Sequence, residues 1–438
     1  MKKSYLLILL VLCFNICSQW VNQNVLPKPP ALYSVHALNS QIAWASGDSG
    51  KVLMTTNGGT TWLYKDSIPF NFRGVISIQA IGPQTALCIS NVGNAGKIFK
   101  TVSAGAVWFQ VFSRNGIVLN DIEFMNNATG FVYGNPESNL WYILKTTDAG
   151  NTFDSTSITR PPAASPADIG FPNDQYVIDN SGTGYIWFGT SNQRTYFSTN
   201  SGVTWNNSQT IGNQLVLSLT FLNIQTGFAG GQNIAYQTSN GAVNWNQLGS
   251  TPGAGPFLSF ANAGGFLWYA RGNCIYYSTD MGLSFVQQHC SPDNSIYHHL
   301  SFTFSASDNS MSVITGWGVT SNGVISKYTD VSGIEKIGTE IPSQYTLEQN
   351  YPNPFNPVTK IRFSLPSKGG VHDFELVIFD VLGREVASLI PPLWGGKEGL
   401  HPGVYEAEWD ASNYPSGIYF YTLNAGGFTQ TRKMILIK

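Results

Sequence analysis

The residues best suited to recognise a ligand are a small set of arginines in a chain that carries few charges. Lys, Arg, Asp and Glu make up 11% of the 438 residues, against roughly 25% in an average soluble protein. Residues 19–332 contain five arginines: Arg73, Arg114, Arg160, Arg194 and Arg271. A guanidinium group binds carboxylate, sulfate or phosphate through paired hydrogen bonds. Anion binding is therefore the first chemistry that this sequence suggests.

Patterns typical of enzymes are weak. The sequence has no HExxH, GxSxG or GxxxxGK[ST] motif. Three carboxylates could act on a glycan, but nothing in their spacing pairs them for glycoside hydrolysis: Asp48, Glu123 and Glu137. His298 and His299 are adjacent on a predicted strand and should point to opposite faces, which disfavours shared metal ligation. We therefore expect no catalytic residue, metal or cofactor, with a glycan-active hydrolase as the alternative.

A repeated turn pattern indicates how these residues are positioned. It consists of a small hydroxyl residue, Asp or Asn two positions later, Gly after two more, and then Thr or Ser two positions on, followed by an aromatic residue. Six copies occur, with their aromatic residues 46, 45, 52, 40 and 40 positions apart: Trp62, Trp108, Phe153, Trp205, Trp245 and Phe285. Asp or Asn bonds nearby amides, Gly supplies a positive φ, and the aromatic ring is buried beside the turn. Each copy therefore predicts a β-hairpin.

The spacing of the copies predicts a propeller. Four short strands in about 45 residues are the period of one blade. Residues from Trp317 to Asp330 supply only two strands of a seventh unit, and the segment Gln19–Gln23 resembles the missing outer strand. We expect this N-terminal strand to complete the last blade and close the ring, because closure removes open sheet edges. The prediction is an all-β, seven-bladed β-propeller over residues 19–332, with six or eight blades as alternatives.

The turn pattern resembles the Asp-box (BNR) repeat. The stretch from Trp44 to Gly50, leading into Thr55–Trp62, resembles the photosystem II assembly-factor family of propellers. This resemblance covers about residues 19 to 332 and implies the fold. Asp-box propellers include enzymes, sorting receptors and assembly factors, so the resemblance does not select a function.

The N-terminus has the features of a signal peptide. Lys2 and Lys3 precede an apolar run from Leu6 to about Phe14, which is too short to span a bilayer. We expect residues 1–18 to be removed during export through the periplasm. A lipoprotein signal would use Cys13 or Cys17, each of which follows a bulky residue. No later segment has the length of a membrane span, and a net charge of −2 gives no reason to expect nucleic-acid binding.

The last hundred residues form a second module. Charged residues rise from about 8% of residues 19–332 to about 19% of residues 333–438. Residues 333–346 are predicted to be a linker. Alternating apolar runs then predict a small Ig-like β-sandwich over residues 347–438.

The sequence of this module resembles the type A C-terminal sorting domain of type IX secretion cargo. The matching positions are Asn350, Pro352, Asn353, Pro354, Gly383, Arg384, Gly417, Tyr419 and Lys433. The resemblance implies contact with the secretion machinery and release into the medium or attachment to the outer cell surface. An Ig-like domain kept for stability is the alternative.

The predicted blades bring the arginines to one end of the ring. Arg73, Arg114 and Arg160 fall between one blade and the next. Arg194 and Arg271 fall near the link between second and third strands, which opens at the same end. Lys51 and Lys97 align with Arg194, each four residues before the turn hydroxyl. The hypothesis is a basic rim that binds an acidic peptide, a carboxylate terminus or an anionic glycan. Alternatively, the arginines pair with Asp48, Asp121, Glu123 or Glu137.

The hairpin register also predicts one disulfide. Symmetry about residue 282 brings Cys274 opposite Cys290, and a disulfide needs Cα atoms within about 7 Å. Cys88 is then a buried free thiol.

Overall fold

The computed structural model describes residues 20–438 apart from several short segments. The segments left out are 66–73, 166, 171–175, 179–183, 211–214, 279, 308–309, 332, 338–341, 367–373, 391–402, 412–413 and 426. The predicted signal peptide and Arg73 therefore lie outside the described residues. The described chain is built from β-strands, and its one helical turn is a 3-10 turn at Asp48–Gly50.

The first three antiparallel sheets follow one another along the chain. Blade one contains β2 (Leu32–Ala37), β3 (Ala43–Gly47), β4 (Val52–Thr55) and β5 (Leu63–Tyr64). Blade two contains β6 (Ser77–Ala80), β7 (Ala86–Val92), β8 (Ala95–Thr101) and β9 (Phe109–Asn115). Blade three contains β10 (Leu119–Phe124), β11 (Gly130–Glu137) and β12 (Leu140–Thr146). Single bridges from Lys145 to Asp154 and from Leu140 to Pro162 stand in place of its outer strand.

Four further sheets complete the ring. Blade four contains β13 (Tyr176–Ile178), β14 (Ile186–Gly189), β15 (Arg194–Ser198) and β16 (Asn206–Gln209). Blade five contains β17 (Ser218–Phe221), β18 (Gly227–Gly230), β19 (Ala235–Thr238) and β20 (Asn246–Gln247). Blade six contains β21 (Phe257–Ala263), β22 (Phe266–Arg271), β23 (Cys274–Ser278) and β24 (Val286–Cys290). Blade seven contains β25 (Tyr297–Ser307), β26 (Ser310–Thr320), β27 (Ile325–Val331) and β1 (Trp20–Asn22).

The N-terminal strand closes the ring as the sequence predicts. β1 pairs antiparallel with β27, with Trp20 opposite Tyr328 and Asn22 opposite Ser326. The innermost strands contact one another in order, and β25 contacts β2. The fold of this part is therefore an all-β propeller of seven sheets, in which the last blade is assembled from both ends of the propeller segment.

The repeat turns owe their shape to side-chain hydrogen bonds. In blade one, the Gly59 N–H donates to Thr55 Oγ1 at 2.8 Å, and the Thr61 N–H donates to Asn57 Oδ1 at 2.9 Å. The backbone at Gly59 has a φ of 88°, in the region that favours glycine. These bonds explain why the pattern requires a hydroxyl, an Asp or Asn and a glycine at fixed spacing.

Aromatic residues join neighbouring blades. Trp187 of β14 stacks on Phe221 of the next blade with ring centroids 3.9 Å apart, and Trp268 of β22 stacks on Phe302 at 4.0 Å. The Phe221 ring also lies against Gly227, the first residue of β18 in its own blade. A Cβ on Gly227 would lie 2.5 Å from the Phe221 ring, so a larger residue there would displace the stack.

The described residues between 333 and 436 form two packed antiparallel sheets. One sheet contains β28 (Gly333–Lys336), β33 (Gly403–Asp410), β30 (Val358–Leu365) and β29 (Thr346–Leu347). The other contains β32 (Glu385–Ile390), β31 (Phe374–Asp380), β34 (Gly417–Ala425) and β35 (Phe428–Leu436). Phe363, Ile378 and Tyr421 are among the buried residues between them. The predicted linker over residues 333–346 is wrong at its start, because residues 333–336 pair with β33 as an edge strand.

The three-residue strand β1 closes the ring, and its buried tryptophan gives a first prediction. The Trp20 side chain is 3% exposed, and its indole N–H donates to Gln288 Oε1 at 3.0 Å. Trp20→Ala should therefore destabilise the propeller by roughly 3–5 kcal/mol, as expected for a buried tryptophan. Chemical denaturation of the exported chain measures this change.

The neighbouring Val21 offers a matched control. Its side chain is 61% exposed on the same strand, so Val21→Ala should change stability by less than about 0.5 kcal/mol. Equal stability of the two variants would show that β1 does not hold the ring closed.

Candidate ligand-binding rim

The structure places most of the predicted cations at one end of the ring. Arg114 lies near the end of β9, opposite Gly96 at the start of β8. Arg194 is the first residue of β15, and Arg160 lies on the connection from blade three to blade four. In an antiparallel blade, the start of the third strand and the end of the fourth lie at the same end. We call this end, which also carries Lys51 and Lys97, the rim.

Much of the charge at the rim comes from one position that is equivalent in every blade. The residue four positions before the turn hydroxyl is Lys51, Lys97, Tyr142 and Arg194 in blades one to four, and Ile234 and Cys274 in blades five and six. Tyr142 itself is flanked by two guanidinium groups. The cations therefore form an arc over four consecutive blades.

The centre of this arc is a cluster around Glu137 and Tyr142. One carboxylate oxygen of Glu137 accepts from Arg114 Nη2 at 2.6 Å, and the other lies 3.4 Å from Arg160 Nη1. The Cζ atoms of Arg114 and Arg160 lie 5.0 and 4.9 Å from the centre of the Tyr142 ring. The Tyr142 hydroxyl accepts from Arg114 Nη1 at 3.0 Å, and this bond and Glu137 raise the pKa of Arg114. Both guanidinium groups are thus held in fixed positions.

The arginines differ in how many donors remain for a ligand. A guanidinium has five N–H donors, and Arg160 directs its own to Glu137 and to the carbonyl oxygens of Trp141 and Leu140. Among the described residues, Arg114 bonds Tyr142 and Glu137, and its side chain is 44% exposed. Arg194 bonds Asn207 Oδ1 at 2.7 Å through one nitrogen. Arg114 and Arg194 are therefore the arginines best able to receive an anion.

Arg271 does not belong to this set, and its prediction as a ligand-binding residue is wrong. Its side chain is buried against the Phe257 ring, with Cζ 4.4 Å from the ring centre. Its nitrogens donate to the carbonyl oxygens of Gly255, Thr251 and Asn233 at 2.8–3.3 Å. The residue fixes the connection between blades five and six, because those carbonyl groups would otherwise be unsatisfied.

The alternative of paired arginines applies to part of the rim. Glu137 pairs with Arg114 and Arg160, as described above. Asp121 accepts a hydrogen bond from the Ser77 hydroxyl at 2.7 Å, and Asp48 accepts from the Ser49 N–H at 2.7 Å. Glu123 faces the central channel. Of these four carboxylates, Asp48 belongs to blade one and the other three belong to blade three.

The central channel contains a cavity of about 360 Å³ lined by the innermost strands. Side chains on its wall accept hydrogen bonds from the backbone of the neighbouring blade. The Ala80 N–H donates to His36 Nδ1 at 3.3 Å, the Val35 N–H to His299 Nδ1 at 3.0 Å, and the Leu300 N–H to Ser259 Oγ at 2.9 Å. These side chains join the blades. Among the described residues, no group of three or more His, Cys, Asp and Glu could hold a metal ion.

The two adjacent histidines do not point to opposite faces as expected. The register of β25 shifts between Tyr297 and His299, so His298 lies on a bulge. Its Nδ1 lies 2.8 Å from the Leu32 carbonyl oxygen, while His299 accepts from Val35 in the same strand. A bulge breaks the two-residue alternation on which the prediction rested.

The cysteines adopt the predicted arrangement. Cys274 and Cys290 are opposite each other on β23 and β24 with Cα atoms 4.0 Å apart, and their sulfur atoms are bonded. Cys88 is a buried free cysteine, and burial raises the pKa of its thiol.

The motif residues of the C-terminal module stabilise its sandwich. Asn350 Nδ2 donates to the Pro352 carbonyl oxygen at 3.0 Å and to Thr359 Oγ1 at 2.9 Å. Asn353 Oδ1 accepts from the Ile435 N–H at 2.9 Å. Pro352 and Pro354 precede β30, and five further motif positions lie on the second sheet or its turns: Gly383, Arg384, Gly417, Tyr419 and Lys433. The described geometry gives these residues structural contacts.

Residues 349–438 match the family model of the secretion system C-terminal sorting domain. The module is a type IX sorting domain. The chain is therefore exported, to the medium or to the outer cell surface. The part of the chain that the structure describes has no helix with the length and apolarity needed to cross a membrane.

The part that precedes the sorting domain resembles solved propellers. A structure described as YCF48 bound to D1 peptide has a TM-score of 0.56 and 15% identity, and the match covers 71% of this chain and 96% of that one. YCF48 from Cyanidioschyzon merolae has a TM-score of 0.53 and 14% identity, covering 70% and 98% of the two chains. These identities confirm the predicted resemblance at the level of fold. No curated protein matches the sequence.

The channel wall gives a prediction about pH. Burial, followed by the neighbouring His299, lowers the pKa of His36 from 6.5 to about 4. Below pH 6.5 the unfolded chain binds a proton that the folded chain excludes, so stability should fall as the pH approaches 4, by roughly 3 kcal/mol from this residue.

His36→Asn keeps an acceptor for the Ala80 N–H but does not titrate. The pH dependence of unfolding, measured in denaturant between pH 7.5 and 4.5, should therefore be shallower in the variant. The same slope in both proteins would contradict a neutral His36 in the folded state.

Proposed function

We propose that this exported chain is a binding protein whose propeller holds an anionic ligand on the rim. The observation that carries the proposal is the arc of Lys51, Lys97, Arg114, Arg160 and Arg194 over four consecutive blades. In a domain with few charges, such an arc attracts anions. An acidic peptide, a carboxylate terminus or an anionic glycan would satisfy its donors.

The state of the arginines supports this proposal. Arg114 keeps N–H groups that bond neither Tyr142 nor Glu137, and its guanidinium is already fixed in place by both. A fixed guanidinium loses little conformational freedom when it binds a carboxylate. The relative bound to a peptide offers a precedent for ligand binding by a propeller of this fold.

We further propose that the propeller carries no catalytic site. Retaining and inverting glycosidases need two carboxylates on either side of the scissile bond. Glu137 is engaged by two guanidinium groups, and Asp48 and Glu123 lie in different blades. A glycan-active hydrolase remains the rival, and release of sugar from a panel of glycans would favour it.

Removing the two arginines with free donors tests the proposal. The exported chain should be retained on an array of acidic peptides and anionic oligosaccharides, and retention should fall as salt is raised. Arg114→Ala combined with Arg194→Ala should weaken binding by roughly tenfold or more, because each loses charge-assisted hydrogen bonds.

Lys28 provides a control for the loss of one positive charge, to be compared with Arg114→Ala alone. It lies outside the arc, before blade one, in an ion pair with Asp293 at 3.0 Å. Lys28→Ala should leave retention nearly unchanged. Equal losses of retention for Arg114→Ala and Lys28→Ala would mean that only net charge matters. Unchanged retention after the double substitution would exclude the arc as the binding site.

A further inference from the structure

The rim at blade three carries exposed aliphatic side chains beside its arginines. Val118 is 42% exposed just before β10, Leu140 is 38% exposed at the start of β12, and Ile169 is 42% exposed on the connection to blade four. Val203 and Val243, by contrast, are exposed at the tips of repeat turns at the opposite end of the ring. Single exposed residues of that kind are ordinary.

Hydrogen bonds show that these residues belong to one surface. The Asn135 N–H donates to the Val118 carbonyl oxygen at 2.8 Å, and the Asn135 side chain accepts from the Gly170 N–H, next to Ile169, at 2.9 Å. Arg160 Nη2 donates to the Leu140 carbonyl oxygen at 3.2 Å. The β11–β12 hairpin thus connects the aliphatic residues to the arginine cluster. We call this surface the blade-three patch, and it consists of Arg114, Val118, Glu137, Leu140, Arg160 and Ile169.

We propose that the blade-three patch binds a peptide segment that combines acidic and aliphatic side chains. The inference rests on the proposed function and names its ligand class. An acidic side chain of the peptide bonds the free N–H groups of Arg114. Aliphatic side chains of the same segment cover Val118, Leu140 and Ile169, which removes apolar surface from water.

The charge of the cluster favours such a peptide over a polyanion. Arg114 and Arg160 share one carboxylate, so together with Glu137 they carry a single net positive charge. A densely charged sulfated chain meets Glu137 as well as the arginines, and like charges at close range oppose its binding. A peptide with separated carboxylates can bond Arg114 and leave Glu137 in contact with apolar groups.

The shape of the side chains also favours a peptide. Sugar rings are commonly bound by stacking on exposed aromatic rings. Among the described residues of the patch there is no aromatic side chain, and the nearby Tyr142 is covered by the two arginines and buried. Branched aliphatic side chains instead fit the apolar side chains of a peptide.

Two series of short peptides distinguish these ligands. One series alternates Glu with Leu, the other alternates Glu with Ser, and a sulfated oligosaccharide is the third probe. The exported full chain should bind the Glu/Leu peptides about tenfold more tightly than the Glu/Ser peptides, because a buried leucine contributes binding energy that serine lacks.

Substitutions separate the two parts of the patch. Val118→Ser with Ile169→Ser should remove most of the preference for Leu, while Arg114→Ala should weaken both peptide series. Val203→Ser with Val243→Ser is the matched control at the other end of the ring and should change neither. Thermal unfolding of every variant verifies that the ring is intact.

The outcomes distinguish this inference from the proposed function. Equal affinity for Glu/Leu and Glu/Ser peptides overturns the inference, as does an Arg114-dependent preference for the sulfated oligosaccharide, and in both cases the rim still binds anions. If the wild-type chain retains none of the three probes, the inference and the proposed function both fall.

Discussion

The ring depends on how each innermost strand satisfies its free edge. These strands lie side by side around the channel without forming a ladder with one another, so their N–H groups need other acceptors. Side chains of the neighbouring blade supply them, as His36 does for Ala80 and His299 for Val35. Each of these bonds crosses a blade boundary, so blade one is fixed to blades two and seven. A gap beside blade one would leave such N–H groups unpaired, which is why closure of blade seven by β1 matters.

The residue types at the two ends of the ring, the repeat-turn end and the rim, are constrained to different degrees. At the turn end, hydroxyl, Asp or Asn, and glycine are fixed by bonds such as those of Thr55 and Asn57. At the rim, the aligned position carries lysine, tyrosine, arginine, isoleucine or cysteine in different blades. The repeated hairpin does not depend on that position, so its side chains are available for recognition. This division explains why the basic arc and the blade-three patch are both at the rim.

Sequence periodicity predicted the blades because turn chemistry and buried aromatic residues repeat at fixed spacing. It also predicted the partner of β1, since Trp20 follows the same pattern as Trp62. It could not predict that Arg271 is buried, because the carbonyl groups that it bonds come from a connection without a repeated pattern. The bulge at His298 and the pairing of residues 333–336 likewise depend on tertiary contacts. Exposure of Val118, Leu140 and Ile169 required the fold itself.

The pairing of β1 with β27 has a mechanical consequence. Trp20 lies opposite Tyr328, so the N-terminal end of β1 and the end of β27 that leads to the sorting domain are at the same end of the pair. A force applied between these two ends would break the β1–β27 residue pairs one after another, in the unzipping geometry. Unzipping requires less force than shearing all the pairs of two strands at once. Burial of Trp20 is then the main obstacle to tearing the ring open while the chain is drawn outward by its sorting domain.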